Sequence, residues 1–147
     1  MDVEAHIAVK QAQHSLLVRA PRQGLFEVTA EIADWLGEQV VREGLLTVFI
    51  RHTSASILIQ ENVDADVERD LETFFERLAP EDLSLYRHTA EGADDMPAHI
   101  KGALTQSHLA ISVREGRLLL GTYQGIYLFE HRRTPRRREL ALHLIGS

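Results

Sequence analysis

Strict alternation of apolar and polar side chains constrains this chain more than any other feature. Leu109, Ile111 and Val113 alternate with Ala110 and Ser112, Arg114-Glu-Gly116 turns, and residues 118–121 return. A period of two puts one face on a core and the other in water, so this stretch is expected to be a hairpin. Tyr127 and Phe129 alternate with Ile126 and Leu128 as far as Glu130-His131-Arg132, and residues 140–145 give a last strand. Residues 45–50 are nearly continuous in β-forming apolar side chains and residues 56–60 alternate, which predicts two strands flanking Arg51-His52-Thr53-Ser54. Near the start, residues 5–10 and 14–19 are short apolar-rich runs separated by Gln11-Ala-Gln13; they predict a strand pair, with Pro21 and Gly24 in the loop after it.

Two segments break this pattern with a helical period. Ile32, Trp35, Leu36 and Val40 follow Thr29, an expected N-cap, and Gly44 sits where a helix should stop, giving a helix over about residues 30–43. Val63, Val67, Leu71, Phe74 and Leu78 step by three or four, giving an amphipathic helix over about residues 64–79 that Pro80 ends. Between Glu61 and Asp82 there are nine acidic residues against two basic ones, which reads as a solvated helix face.

The segment 88–101, His-Thr-Ala-Glu-Gly-Ala-Asp-Asp-Met-Pro-Ala-His-Ile-Lys, has no such period. It carries two imidazoles, three carboxylates and an ammonium. Asp94 or Asp95 is expected to cap a short helix that Pro97 opens, with His99 in the first turn and Lys101 adding positive charge nearby. Imidazoles and carboxylates in this company suit a divalent ion or acid–base chemistry, although the spacing matches no standard zinc pattern. A polar loop with surface histidines and a helix cap accounts for the same residues. His52 lies at a strand end, where scaffolds present functional groups; a half-buried imidazole bonded to backbone is the structural alternative.

Composition narrows the chemistry. The 147 residues fit one domain, 1–147, with room for a core. With no cysteine, a metal must be held by His, Asp, Glu or backbone oxygen. No run approaches the eighteen or so apolar residues of a membrane span and the first residues resemble no signal peptide, so a cytoplasmic protein without a membrane partner is expected. A net charge of −6 disfavours nucleic acid. Arg132-Arg-Thr-Pro-Arg-Arg-Arg138 nevertheless places five arginines around a proline turn, either a soluble hairpin end or a guanidinium cluster for phosphate.

The phrases His52-Thr-Ser-Ala-Ser, Gln60-Glu-Asn, Glu91-Gly-Ala-Asp-Asp-Met-Pro-Ala-His-Ile-Lys, Gly121-Thr-Tyr-Gln-Gly-Ile-Tyr-Leu and Glu130-His-Arg resemble the YjbQ-like family, often labelled secondary thiamine-phosphate synthase. Tyr123 replaces a usual tryptophan, and Ala93 a proline or asparagine. The resemblance implies a compact single α+β domain, an antiparallel β-sandwich or barrel with two longer helices and one short one. It further implies a homotrimer whose motif residues share a polar pocket for a metal or an anion.

On these motifs a divalent metal, zinc or magnesium, is expected on His52, His88 and His99. Glu61, Asp95 and Lys101 are the expected catalytic groups, with substrate or anion contacts from Arg51, Thr53, Ser54, Asn62, Lys101 and Gln124. The activity implied is the coupling of an aminopyrimidine diphosphate with a thiazole phosphate, which demands stabilisation of a departing polyanion. A metal-dependent hydrolase of a small phosphorylated metabolite, or a trimeric binding module without turnover, would use the same residues.

Overall fold

The computed structural model describes residues 8–147. Its elements run β1 (Lys10–Ala20), β2 (Gly24–Glu27), α1 (Thr29–Gly37), β3 (Gly44–Ile50), β4 (Ala55–Glu61), α2 (Ala65–Leu78), a single 3-10 turn (Leu83–Leu85), α3 (Asp95–Leu104), β5 (His108–Arg114), β6 (Arg117–Leu118), β7 (Gln124–Glu130) and β8 (Arg136–Gly146). The strands form two antiparallel sheets, ordered β1-β8-β3-β5-β6 and β2-β7-β4. Together they make an α+β half-barrel closed on one core. No helix among the described residues is long and apolar enough to cross a membrane.

The alternation read from sequence sets which face is inside. In β5, Leu109, Ile111 and Val113 are buried, and in β8 Leu140, Leu142 and Leu144 are; these meet Leu46, Val48 and Ile50 of β3 and Ile57, Ile126 and Leu128 of the smaller sheet. Each such side chain contributes about 1.5–3 kcal/mol by leaving water. Ile32 and Leu36 of α1 cover one end of this core. A smaller cluster, Leu25, Tyr127 and Phe129, lies beneath Leu71 and Phe75 of α2. The stripe predicted for α2 is only partly covered, since Phe74 and Leu78 are exposed.

Several boundaries differ from those expected. Residues 5–7 lie outside the described residues, and the expected strand pair is replaced by one strand, β1. It runs unbroken through Gln11-Ala-Gln13 because each of these residues pairs with β8 and the glutamines point to the exposed face. Helix α1 ends at Gly37, and Gly44 instead begins β3, where a Cβ would collide with the Ile145 carbonyl of β8. Val28 holds the N-cap position; the Thr29 hydroxyl donates to Glu27 and accepts from the Ile126 N–H, tying α1 to β7. The second hairpin strand is only Arg117–Leu118, and β7 starts at Gln124, so Gly121 precedes the strand. Gly125 marks a close approach, since a Cβ there would meet the Glu27 carboxylate.

Candidate functional site

The site forms where α3 begins, beside the loop that follows β7. Asp95 is the first residue of α3, so His99, one turn later, shares its face. The chain reaches α3 through Gly92, whose positive φ of 113° suits glycine. His88, from the preceding loop, brings Nε2 to 2.6 Å from Asp95 Oδ2, and His99 Nε2 lies 3.2 Å from the same oxygen. Arg132 closes the other side: Nη1 donates to Asp95 Oδ1 at 2.6 Å, Nε to Asp94 Oδ2 at 3.0 Å, and Nη2 to the Glu91 carbonyl at 2.9 Å.

Thus the two aspartates expected as helix caps accept from Arg132 and neither side chain caps α3. Burial pushes the Asp95 carboxyl up, but the His88 hydrogen bond and the Arg132 and His99 charges outweigh it and hold the carboxyl below its ordinary range. Asp94 is treated likewise: burial is outweighed by the Arg133 N–H and the Arg132 guanidinium. Asp95 is therefore an anion with side-chain exposure of only 3%, whereas His88 and His99 are 44% and 35% exposed. One donor atom from each of His88, Asp95 and His99 lies within 4.8 Å of the others, close enough for one ion.

His99 also borders a cleft of about 300 Å³ with His52, Thr53, Gln106 and Ser107. Gly102 lets α3 approach this wall, because a Cβ there would sit 3.0 Å from the Thr53 carbonyl. His52 belongs to the cleft and not to the His88–Asp95–His99 group. Its Nε2 accepts the Glu139 backbone N–H at 2.8 Å, which occupies the lone pair an ion would need and leaves the proton on Nδ1. Burial and the Arg138 charge both lower its pKa. The group with ligand-like spacing is therefore two histidines and Asp95, without the expected His52.

Of the other expected site residues, Arg51, Thr53 and Ser54 line a second open cleft of about 550 Å³ with His52, Ser107 and Arg138, and the rest lie elsewhere. Lys101 is buried, about 200° around α3 from His99, and lines a separate 30 Å³ cavity with Gln23, Glu72 and Glu76. Arg51 pairs with Glu139 at 3.0 Å, and Ser54 accepts from Arg138 through its hydroxyl and carbonyl oxygens. Glu61, Asn62 and Gln124 cluster at the opposite end of β4, about 20 Å from its start at seven residues of strand. There Asn62 donates to Glu27 and Gln124 accepts the Gly121 N–H. Within one chain they do not reach His52 or His99.

Sequence reading missed Arg132 as the partner of Asp95, although Glu130-His-Arg was among the quoted motifs. It also missed a buried polar network behind the site. Glu130 and Arg138, both almost fully buried, bond at 2.6 Å, and His131 shares a 2.8 Å hydrogen bond with the Ser56 hydroxyl. Ser56 continues to Thr105, which donates to the Lys101 carbonyl on α3. Burial, with Lys101 and Arg138 nearby, pushes the His131 imidazole down to about 3.

Comparison with known proteins finds a family model described as UPF0047 protein YjbQ-like, which matches residues 14–147. A UPF0047 protein of Synechocystis is 47% identical over 94% of this chain and 94% of its own length. The YjbQ protein of Escherichia coli O157:H7 is 45% identical over 82% of this chain and 87% of its own. A conserved hypothetical protein of Thermus thermophilus superposes with a TM-score of 0.79 at 34% identity, over 89% of this chain and 98% of that one. A YbjQ-like protein of unknown function from Sulfolobus solfataricus shares the fold, with a TM-score of 0.86 at 21% identity over 95% of this chain and all of that one.

Proposed function

The chain belongs to the YjbQ-like UPF0047 family, and we propose that it is a divalent-metal-dependent enzyme acting on a small phosphorylated substrate. The observation that carries this reading is the convergence of His88, Asp95 and His99 within 4.8 Å beside an open cleft. Two imidazoles and one carboxylate fit zinc, manganese or ferrous iron better than magnesium, which favours oxygen ligands. Bound there, the ion supplies Lewis acidity toward a phosphoryl oxygen. Arg132 fixes both Asp94 and Asp95, so the carboxylate is held before any ligand arrives. The rim of His52, Thr53, Gln106 and Ser107 provides polar groups to orient a substrate. Coupling of two phosphorylated heterocycles and hydrolysis of one phosphate ester both use this arrangement; they differ in whether an acceptor is required.

The test begins with metal content. Protein purified without chelator should carry about one divalent ion per chain, and Asp95→Asn should lose it while remaining folded. Metal-loaded protein, assayed against phosphorylated metabolites with and without an acceptor, then separates transferase from hydrolase. Equal metal content in Asp95→Asn and the unaltered protein would end the metal reading.

The proposal includes a homotrimer. Leu45, Phe49, Ile145, Phe74 and Leu78 are exposed apolar side chains, and β1 and β6 are open sheet edges, so association would cover both. It would also offer the distant Glu61–Asn62–Gln124 group a route to a neighbouring His99. Sedimentation should show a trimer at micromolar concentration, and mixing His99→Ala with Gln124→Ala subunits should restore part of the activity if the site is shared.

A further inference from the structure

The five arginines around Pro135 are sorted unequally by the fold. Arg132 is committed to Asp94 and Asp95, Arg133 to Glu81 at 2.6 Å, and Arg138 to buried Glu130. Arg136 and Arg137 have no carboxylate partner among the described residues, and neither has Arg19 across the sheet. In the β1–β8 register Arg19 stands directly opposite Arg137. Like charges facing one another across an antiparallel pair oppose folding. Arg136 bonds Thr134 through Nη2, while its Nε is buried without a hydrogen-bond partner.

Neutralising groups are scarce at this end of the sheet. Among the outward positions of β1 and β8 the one carboxylate is Glu139, and it already accepts from Arg51 at 3.0 Å and from Ser15 at 2.6 Å. An unneutralised guanidinium trio on a chain of net charge −6 runs against the overall balance. Arg19, Arg136 and Arg137, with Pro135, line a cleft of about 260 Å³. The guanidinium fork matches phosphate oxygens, and a bound anion would relieve the Arg19–Arg137 opposition.

We propose that this cleft is a phosphate-binding site for a phosphate or diphosphate group, separate from the His88–Asp95–His99 site. A cleft of this size takes a small phosphoanion, whereas an extended nucleic acid would have to cross an otherwise acidic surface.

Calorimetric titration of the chelated, metal-free protein with inorganic phosphate and with inorganic diphosphate tests it. Saturable binding is expected, tighter for diphosphate, and unchanged in Asp95→Asn. Arg19→Gln and Arg137→Gln should each weaken it about tenfold. Each should also raise the melting temperature of the ligand-free protein by removing the like-charge opposition, which shows that the variants fold. The proposal is overturned if no saturable binding appears at millimolar anion, or if both glutamine variants bind as before. Loss of binding in Asp95→Asn would also overturn it, by placing the anion at the other site. So would binding of a short RNA oligonucleotide with steep salt dependence when diphosphate does not bind.

Discussion

Two regions of this molecule use the same residue types to opposite ends. At the start of α3, a carboxylate (Asp95), an arginine (Arg132) and two histidines meet with the imidazoles facing solvent; behind it, Glu130, Arg138 and His131 meet with all three side chains buried. Every polar contact in the second region is directed at the protein itself: Arg138 to Glu130 and Ser54, His131 to Ser56. In the first, Arg132 saturates one oxygen of Asp95 and leaves the other shared by two half-exposed imidazoles. Burial thus turns one set into a brace between β7, β8, β4 and α3. Its partial absence leaves the other set with donor atoms to spare.

The sharpest way to break this comparison is to remove each arginine. Arg138→Ala strands a buried carboxylate and should destabilise the protein by about 3–5 kcal/mol in chemical denaturation. Arg132→Ala also uncovers a buried carboxylate, Asp95, but His88 and His99 remain beside it, so its loss should be clearly the smaller of the two. Similar losses in both would mean that the two regions do not differ as described.

A second effect distinguishes the buried imidazole. The ring titrates from 6.5 when unfolded and from about 3 when folded, so the unfolded chain takes up its proton first as pH falls. The stability contributed by neutral His131 is complete above pH 6.5 and is lost progressively as pH drops toward 3. This is on the order of a few kcal/mol across that window. His131→Gln should flatten the dependence of denaturation midpoint on pH between about 5 and 6.5, above most carboxylate titrations. An unchanged slope would remove His131 from the account.

The smallest effect sharpens the open region. If Arg132 serves to hold Asp95 for an ion, Arg132→Ala should weaken metal affinity by about 10- to 100-fold under conditions where the variant is fully folded. Equilibrium dialysis against zinc reads this directly.

The strands were legible because a period of two encodes both the element and the face it buries, as in Leu109, Ile111 and Val113. The Asp95–His99 pair went unread, although a separation of four places both on one side of a helix. Boundaries were less legible than the strands themselves. Gln11 and Gln13 look like a break until β8 is there to pair with them, since a polar side chain on the solvent face costs a strand nothing.

The sequence by itself determined the alternating strands, the amphipathic α2 and the presence of a polar segment before α3, because these rest on spacing within a few residues. Only the tertiary structure decided which polar groups meet. Arg132 reaches Asp95 across 37 positions of chain, and Glu139 reaches His52 across 87. Lys101, two residues past His99, is turned into a different cavity by the pitch of the helix and its packing. Five adjacent arginines read as one cluster in sequence. In the fold they divide among three carboxylate pairings and two arginines without one, because Arg132 and Arg133 lie in the loop before β8 while Arg136, Arg137 and Arg138 are successive strand positions that meet different neighbours.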